Sequence, residues 1–238
     1  MKPKLDKNQK KLRRRIIEII YRDKKSHIGS SLNSIDIIDS VYKIKRSKEK
    51  FVLSNGHSAA ALYVVLEKYE LLKNPSLDKL GIHPDRTLSP AIDVSTGSLG
   101  QGLPIALGMA IANLKEFVYC LVSDGECAEG SIWETLRIIT EQKALNLKII
   151  VTANGWGAYG AISYKQLKSR FAGFGFKVIE INGHDQKQII KYLKIKNKRP
   201  TIILAKTISD QLPFLRGLDA HYYTMNEDNY KFAINYFK

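Results

Sequence analysis

The chain contains no run of about eighteen uninterrupted apolar residues, which excludes a conventional membrane-spanning helix. It also lacks the short apolar core of a secretion signal, since Lys2, Lys4, Lys7 and Lys10 crowd its start. A soluble, cytoplasmic protein is therefore expected. Cysteine is scarce: Cys120 and Cys127 are the only two, with neither C-x-x-C nor zinc-finger spacing, so both read as reduced thiols rather than a disulfide framework. No internal repeat or low-complexity linker interrupts the sequence, and one domain over residues 1–238 is expected.

Acidic residues are outnumbered, leaving a formal net charge of +15. Such a balance raises the question of a nucleic-acid partner. The basic residues are dispersed, however, over the first segment through Arg13, Arg14 and Arg15, over residues 43–50 and over residues 187–199. No zinc, K-homology or RNA-recognition signature accompanies them. A solvated basic face, or one matched to an acidic partner subunit, is expected instead of nucleic-acid or membrane binding.

What is present is a packed α/β pattern, with 44% apolar residues among 238. Leu12, Ile16, Ile19 and Ile20 mark one face of a basic opening helix within residues 1–22. A second helix is expected after Asn33 and Ser34, either of which suits its N-cap. Residues 51–54 read as a buried strand ending at the Asn55-Gly56 turn, with a helical pattern over residues 58–72. The small-residue run over residues 105–112 predicts a buried helix. Strand-like runs at 117–122, 147–151, 177–181 and 201–205 alternate with helical patterns at 132–141 and 164–171, and a terminal helix falls within residues 222–238. This alternation predicts a mostly parallel central sheet with helices on both faces.

Ligands of open parallel sheets bind at the carboxyl ends of strands, and two polar clusters sit there. Ser123-Asp124-Gly125-Glu126 follows one apolar run, and Asn154-Gly155-Trp156 follows the next, with Asn154 thirty positions after Asp124. A carboxylate, an amide oxygen and a main-chain carbonyl are hard oxygen ligands suited to Mg2+ or Ca2+ beside a phosphate. Gly125 would let the backbone approach a diphosphate. The pair is similar to the thiamine diphosphate signature, with Ser123 standing where that signature has glycine.

Further segments resemble the transketolase family, and within it the N-terminal, diphosphate-binding half of two-subunit members. They are Ser26-His27-Ile28-Gly29-Ser30-Ser31-Leu32, Leu53-Ser54-Asn55-Gly56-His57, His83-Pro84-Asp85, Ser95-Thr96-Gly97-Ser98-Leu99-Gly100-Gln101-Gly102 and Trp133-Glu134. The resemblance implies a thiamine-diphosphate-binding fold. It also implies that His27, His57, His83 and His221 ring the reactive part of the cofactor and bind the sugar, a role suited to imidazole. His184 receives no chemistry. Gly97, Ser98 and Leu99 are implied on the aminopyrimidine side, Ile208 beside the rings, and His57, Gly125, Glu126, Asn154 and His221 at the diphosphate. Asp124, Asn154 and the Trp156 carbonyl are implied as metal ligands. Glu129 matches a family carboxylate at the subunit interface, and equally suits a helix start. After Lys206-Thr207-Ile208 the family's Gly-x-Gly loop is replaced by residues 209–217, shorter by about two residues.

The activity implied is transfer of a two-carbon ketol unit from a ketose to an aldehyde, with thiamine diphosphate carrying the difficult chemistry. In this family a glutamate on a second domain activates the cofactor. The resemblance therefore implies a C-terminal partner subunit in an α2β2 assembly, and weak cofactor binding by this chain alone. A synthase acting on ketoacids and a non-catalytic cofactor-binding subunit are the alternatives.

Overall fold

A computed structural model describes residues 3–157, 160–208 and 210–238; Lys2 and Ser209, the first residue of the 209–217 loop, lie outside the described residues. The chain begins with α1 (Lys7–Arg22) and α2 (Ile28–Tyr42), then β1 (Lys50–Leu53), α3 (Ala59–Lys68) and the single turn α4 (Leu77–Leu80). It continues through α5 (Gly102–Ala112), β2 (Val118–Ser123), α6 (Gly130–Gln142), β3 (Leu147–Ala153) and a two-stranded antiparallel pair, β4 (Trp156–Gly157) with β5 (Gly160–Ala161). Then follow α7 (Tyr164–Gly173), β6 (Lys177–Asn182), α8 (Gln186–Leu193), β7 (Thr201–Lys206) and α9 (Glu227–Tyr236).

Five strands form one parallel sheet in the order β1-β2-β3-β7-β6. Side chains alternate across it, as the pleat requires. Tyr119 and Leu121 join the core formed with α1, α2, α3, α8 and α9, whereas Val118, Cys120 and Val122 join the core formed with α5, α6 and α7. Both faces are thus covered by helices, as the sequence pattern predicts. All seven residues of β3 are buried, Lys148 and Thr152 included. Among the described residues no helix is long and apolar enough to cross a membrane.

Three elements differ from expectation. Helix α2 begins at Ile28, not after Asn33 or Ser34, and its N-cap is His27 in the left-handed conformation at φ 64° with no side-chain cap. Buried on nearly every side, α2 carries Ser31, Asn33, Ser34, Asp36 and Asp39 inside the protein; the polar residues that suggested a helix start are interior partners instead. Helix α5 is only half covered. Leu103, Ala106, Leu107 and Ala110 are buried, while Ile105 and Ile111 are 40% and 47% exposed. Helix α8, capped by Asp185 through the N–H groups of Lys187 and Gln188, was not evident in the sequence pattern.

Candidate active site

The carboxyl edge of the sheet gathers the chemistry. Ser54, Asp124, Asn154 and Thr207 each follow the last residues of neighbouring strands, and the register sets Ser123 beside Thr152. Asp124 is 3% exposed. Its Oδ1 accepts from the Gly125 N–H at 3.0 Å and its Oδ2 from the Gly155 N–H at 2.7 Å, so one carboxylate ties the loops after β2 and β3 together. Asn154 Oδ1 accepts from the Trp156 N–H at 2.8 Å. Burial pushes Asp124 up to about 6, against the opposing hydrogen bonds from Gly155 and Gly125.

These residues border an open cleft. Over the described residues its wall includes Gly29, Ser30, Asn33, Asn55, His57, Leu99, Ser123–Glu126, Asn154, Trp156 and His221. Four imidazoles cluster at one side. His27 lies 5.5 Å from His57, 6.2 Å from His83 and 4.7 Å from His221, measured between ring centres, and His57 lies 5.4 Å from His221. Desolvation, with smaller contributions from His221 and His83, lowers His27 to about 4. Desolvation likewise lowers His57 to about 3, assisted by the charges of His27, His221 and His83. Burial also lowers His83 and His221. At neutral pH all four are uncharged, each offering one donor and one acceptor. His27 Nδ1 is buried without a partner.

The loop over residues 95–100 is pressed onto the turn after β1. Thr96 Oγ1 donates to the Leu53 carbonyl at 2.6 Å, and a Cβ on Gly56 would sit 2.8 Å from the Gly97 nitrogen. Gly97 adopts φ 153° against the His83 ring, a conformation that glycine supplies. Glu126, fully buried, binds three loops at once: Oε1 accepts from Ser54 Oγ at 2.5 Å and Gly100 N–H at 2.7 Å, and Oε2 from Ser123 N–H at 3.3 Å. Its oxygens are occupied by protein donors. Burial raises its pKa despite these bonds.

His27, His83, Gly97, Ser98, Glu129 and Ile208 stand outside the cavity wall as taken over the described residues. Glu129 is the N-cap of α6 and makes no side-chain cap hydrogen bond. The Ile208 N–H donates to His184 Nε2 at 3.1 Å. His184 belongs to a buried network with Arg13 and Asp36, in which Arg13 grips Asp36 at 2.6 and 3.1 Å and His184 Nδ1 meets Asp36 at 2.9 Å. Residues the sequence reading missed are Asn33, Asn55 and Tyr222. The Tyr222 ring lies 4.6 Å from His221 and 5.6 Å from His27. The signal for Asn55 was its place inside the second histidine motif, and Asn33 directly follows the first.

The fold and this cleft place the candidate site where open parallel sheets bind their ligands, at the carboxyl ends of the strands. The family profile described as "Transketolase, thiamine diphosphate binding domain" matches residues 6–231. The chain belongs to this family. It is 31% identical over 243 residues to an apulose-4-phosphate transketolase subunit of Phocaeicola vulgatus, covering 90% of this chain and 86% of that protein. It is 28% identical over 254 residues to the 6-deoxy-6-sulfo-D-fructose transketolase subunit SqwG of Clostridium sp. strain MSTE9, covering 94% and 92%. The solved transketolase of Campylobacter jejuni superposes with a TM-score of 0.84 at 28% identity, over 97% of this chain and 42% of that one. The chain thus spans about two fifths of the solved transketolase it matches.

Asp124, Asn154 and Trp156 all border the cleft. Among the described residues no cluster of three or more His, Cys, Asp and Glu is placed to hold a metal by itself. Asp124, the Asn154 amide oxygen and the Trp156 carbonyl form a hard but weakly charged set, which suits an ion that takes its remaining ligands from phosphate oxygens and water. Asn33 Nδ2, Asn55 Oδ1 and His27 Nδ1, in residues in and beside the cleft, are buried without a hydrogen-bond partner.

Proposed function

We propose that this chain is the diphosphate-binding subunit of a two-chain, thiamine-diphosphate-dependent transketolase. With a C-terminal partner it transfers a two-carbon ketol unit from a ketose to an aldehyde acceptor, in an α2β2 assembly in the cytoplasm. The observation that carries this reading is the convergence of Asp124 and Asn154, from two adjacent strand ends, on the cleft that also holds His57 and His221. Relatives named for apulose-4-phosphate and 6-deoxy-6-sulfo-D-fructose support a sugar donor.

Asp124, Asn154 and the Trp156 carbonyl would hold Mg2+ or Ca2+, and Gly125, Asn154, His57 and His221 would receive the diphosphate. Gly97, Ser98, Leu99 and Ile208 would border the rings. The chemistry that thiamine diphosphate supplies when bound is nucleophilic addition to a carbonyl and storage of the resulting negative charge. His27, His57, His83 and His221 would orient the sugar hydroxyls and hold or pass protons, a task for which uncharged imidazoles are suited. Glu126 would fix the loops that shape the cleft, and Glu129 would lie at the subunit interface.

The test combines this chain with its partner subunit and supplies a ketose phosphate with an aldehyde, or pyruvate with the same aldehyde. Ketol transfer only when both chains are present is expected. Pyruvate consumption in place of ketol transfer, or full activity from this chain alone, contradicts the proposal.

A further inference from the structure

Arg13, on α1, is fully buried and directs its donors two ways. Nη1 and Nη2 donate to Asp36 on α2 at 3.1 and 2.6 Å, while Nε donates to Gln211 Oε1, beyond β7, at 2.9 Å. Asp36 extends the first arm, because its Oδ2 also meets His184 Nδ1 at 2.9 Å. The Ile208 N–H can only donate, and its acceptor is His184 Nε2 at 3.1 Å. Nε2 therefore carries the ring's lone pair, the proton sits on Nδ1, and Nδ1–H donates to Asp36. Arg13 Nη2, 3.3 Å from Nδ1, is then a neighbour of that nitrogen and not a donor to it. Along the second arm, Gln211 Nε2 donates to the Ile208 carbonyl at 3.2 Å and to the Leu32 carbonyl at 3.1 Å. Both arms end on the residues that follow β7, and the second stitches them to α2.

Those residues lead to His221. Leu212 and Leu215, which follow Gln211, are 0% exposed in the core that also holds Ile28, Leu32 and Ile35 of α2. At the far end the His221 carbonyl accepts from the His27 N–H at 3.3 Å, and the His221 ring stands 4.7 Å from that of His27 and 5.4 Å from that of His57. His27 is the N-cap of α2, so the helix itself supplies no partner for this N–H. We propose that Arg13, Asp36, His184 and Gln211 are positioning residues: they fix the segment after β7 along α2 and so hold the His221 ring against His27 and His57. None of the four is in the cleft wall as taken over the described residues. The positioning stands on the geometry of this chain; its consequence for ketol transfer rests on the thiamine diphosphate reading above.

Amide hydrogen exchange followed by NMR on the full chain, without partner or cofactor, tests it. His184→Phe removes the acceptor of the Ile208 N–H. Exchange of the Ile208 and His27 amides is expected to quicken about tenfold, the effect of one lost hydrogen bond, while the β2–β3 ladder keeps its parental rates. His184→Gln, whose Oε1 restores an acceptor, is expected to hold both amides within about threefold of the parent. Gln211→Met cuts the other arm and should quicken the His27 amide alike; it serves if the phenylalanine variant does not fold. A parental His27 rate in both variants overturns the proposal, since the clamp would then end short of His221. Equal quickening throughout the ladder also overturns it, since that marks a general loss of stability. In the two-chain enzyme His184→Phe should lower kcat about tenfold, but by less than about twofold in a His221→Ala background. Additive losses overturn the claim that His184 acts through His221. Should the unaltered pair of chains transfer nothing, the proposed function alone falls, and the exchange rates still decide the positioning.

Discussion

The main-chain N–H of His27 donates to the carbonyl of His221 at 3.3 Å, and their rings meet edge to face at 4.7 Å. Residues almost two hundred positions apart are thereby clamped at the start of α2. The left-handed backbone of His27 turns its ring toward His57 and His83. A cluster of this kind is stable only while uncharged, and that has a consequence for pH.

His27 and His57 are lowered from 6.5 to about 4 and about 3. Below pH 6.5 the unfolded chain binds protons that the folded one refuses, so stability falls as pH drops from 6.5 toward 4. The loss is on the order of 2 kcal/mol per residue by pH 5. Urea unfolding at pH 7.5 and pH 5 measures it. His57→Gln should lose less stability on acidification than the parent, and an equal loss would contradict the assignment.

Asp36 is held at about 2: burial alone would raise it, and the Arg13 charge with the His184 hydrogen bond outweighs burial. Its contribution is present above 3.8 and disappears as pH falls through about 2. Asp36→Asn strands a buried guanidinium and should cost about 3–5 kcal/mol by chemical denaturation. A cost below about 1 kcal/mol would show that the pair contributes little to stability.

Gly102 approaches the first strand's end so closely that a Cβ would lie 2.5 Å from Ser54 Cα. Gly102→Ala should destabilise by about 1–3 kcal/mol and loosen the Ser54–Glu126 contact. Gly108, in the same helix with open space around it, is the control; Gly108→Ala should gain about 0.5–1 kcal/mol. Equal melting temperatures for the two variants would contradict this packing.

Much of this was legible in the sequence because the parallel strands are short apolar runs whose ends carry polar turns. Asp124 and Asn154 could be named from spacing, and the structure brings both to one cavity with His57 and His221. The start of α2 was not legible, because its buried serines and asparagines serve long-range partners and imitate a cap. Glu126 shows the same limit: nothing local reveals that its carboxylate is occupied by Ser54, Gly100 and Ser123. Arg13 and Gln211 meet across the fold, and no local pattern connects them. The outward half of α5 was not legible either, because a uniformly apolar helix does not reveal which side is covered.

The most direct measurement is a calorimetric titration of thiamine diphosphate into this chain together with its partner, with and without Mg2+, for the parent and Asp124→Asn. The account predicts binding that requires the metal and falls at least about 100-fold in Asp124→Asn, where a charged ligand is lost and the Gly125 and Gly155 loops lose a charge-assisted tie. Binding of equal strength without metal, or in the variant, would contradict it.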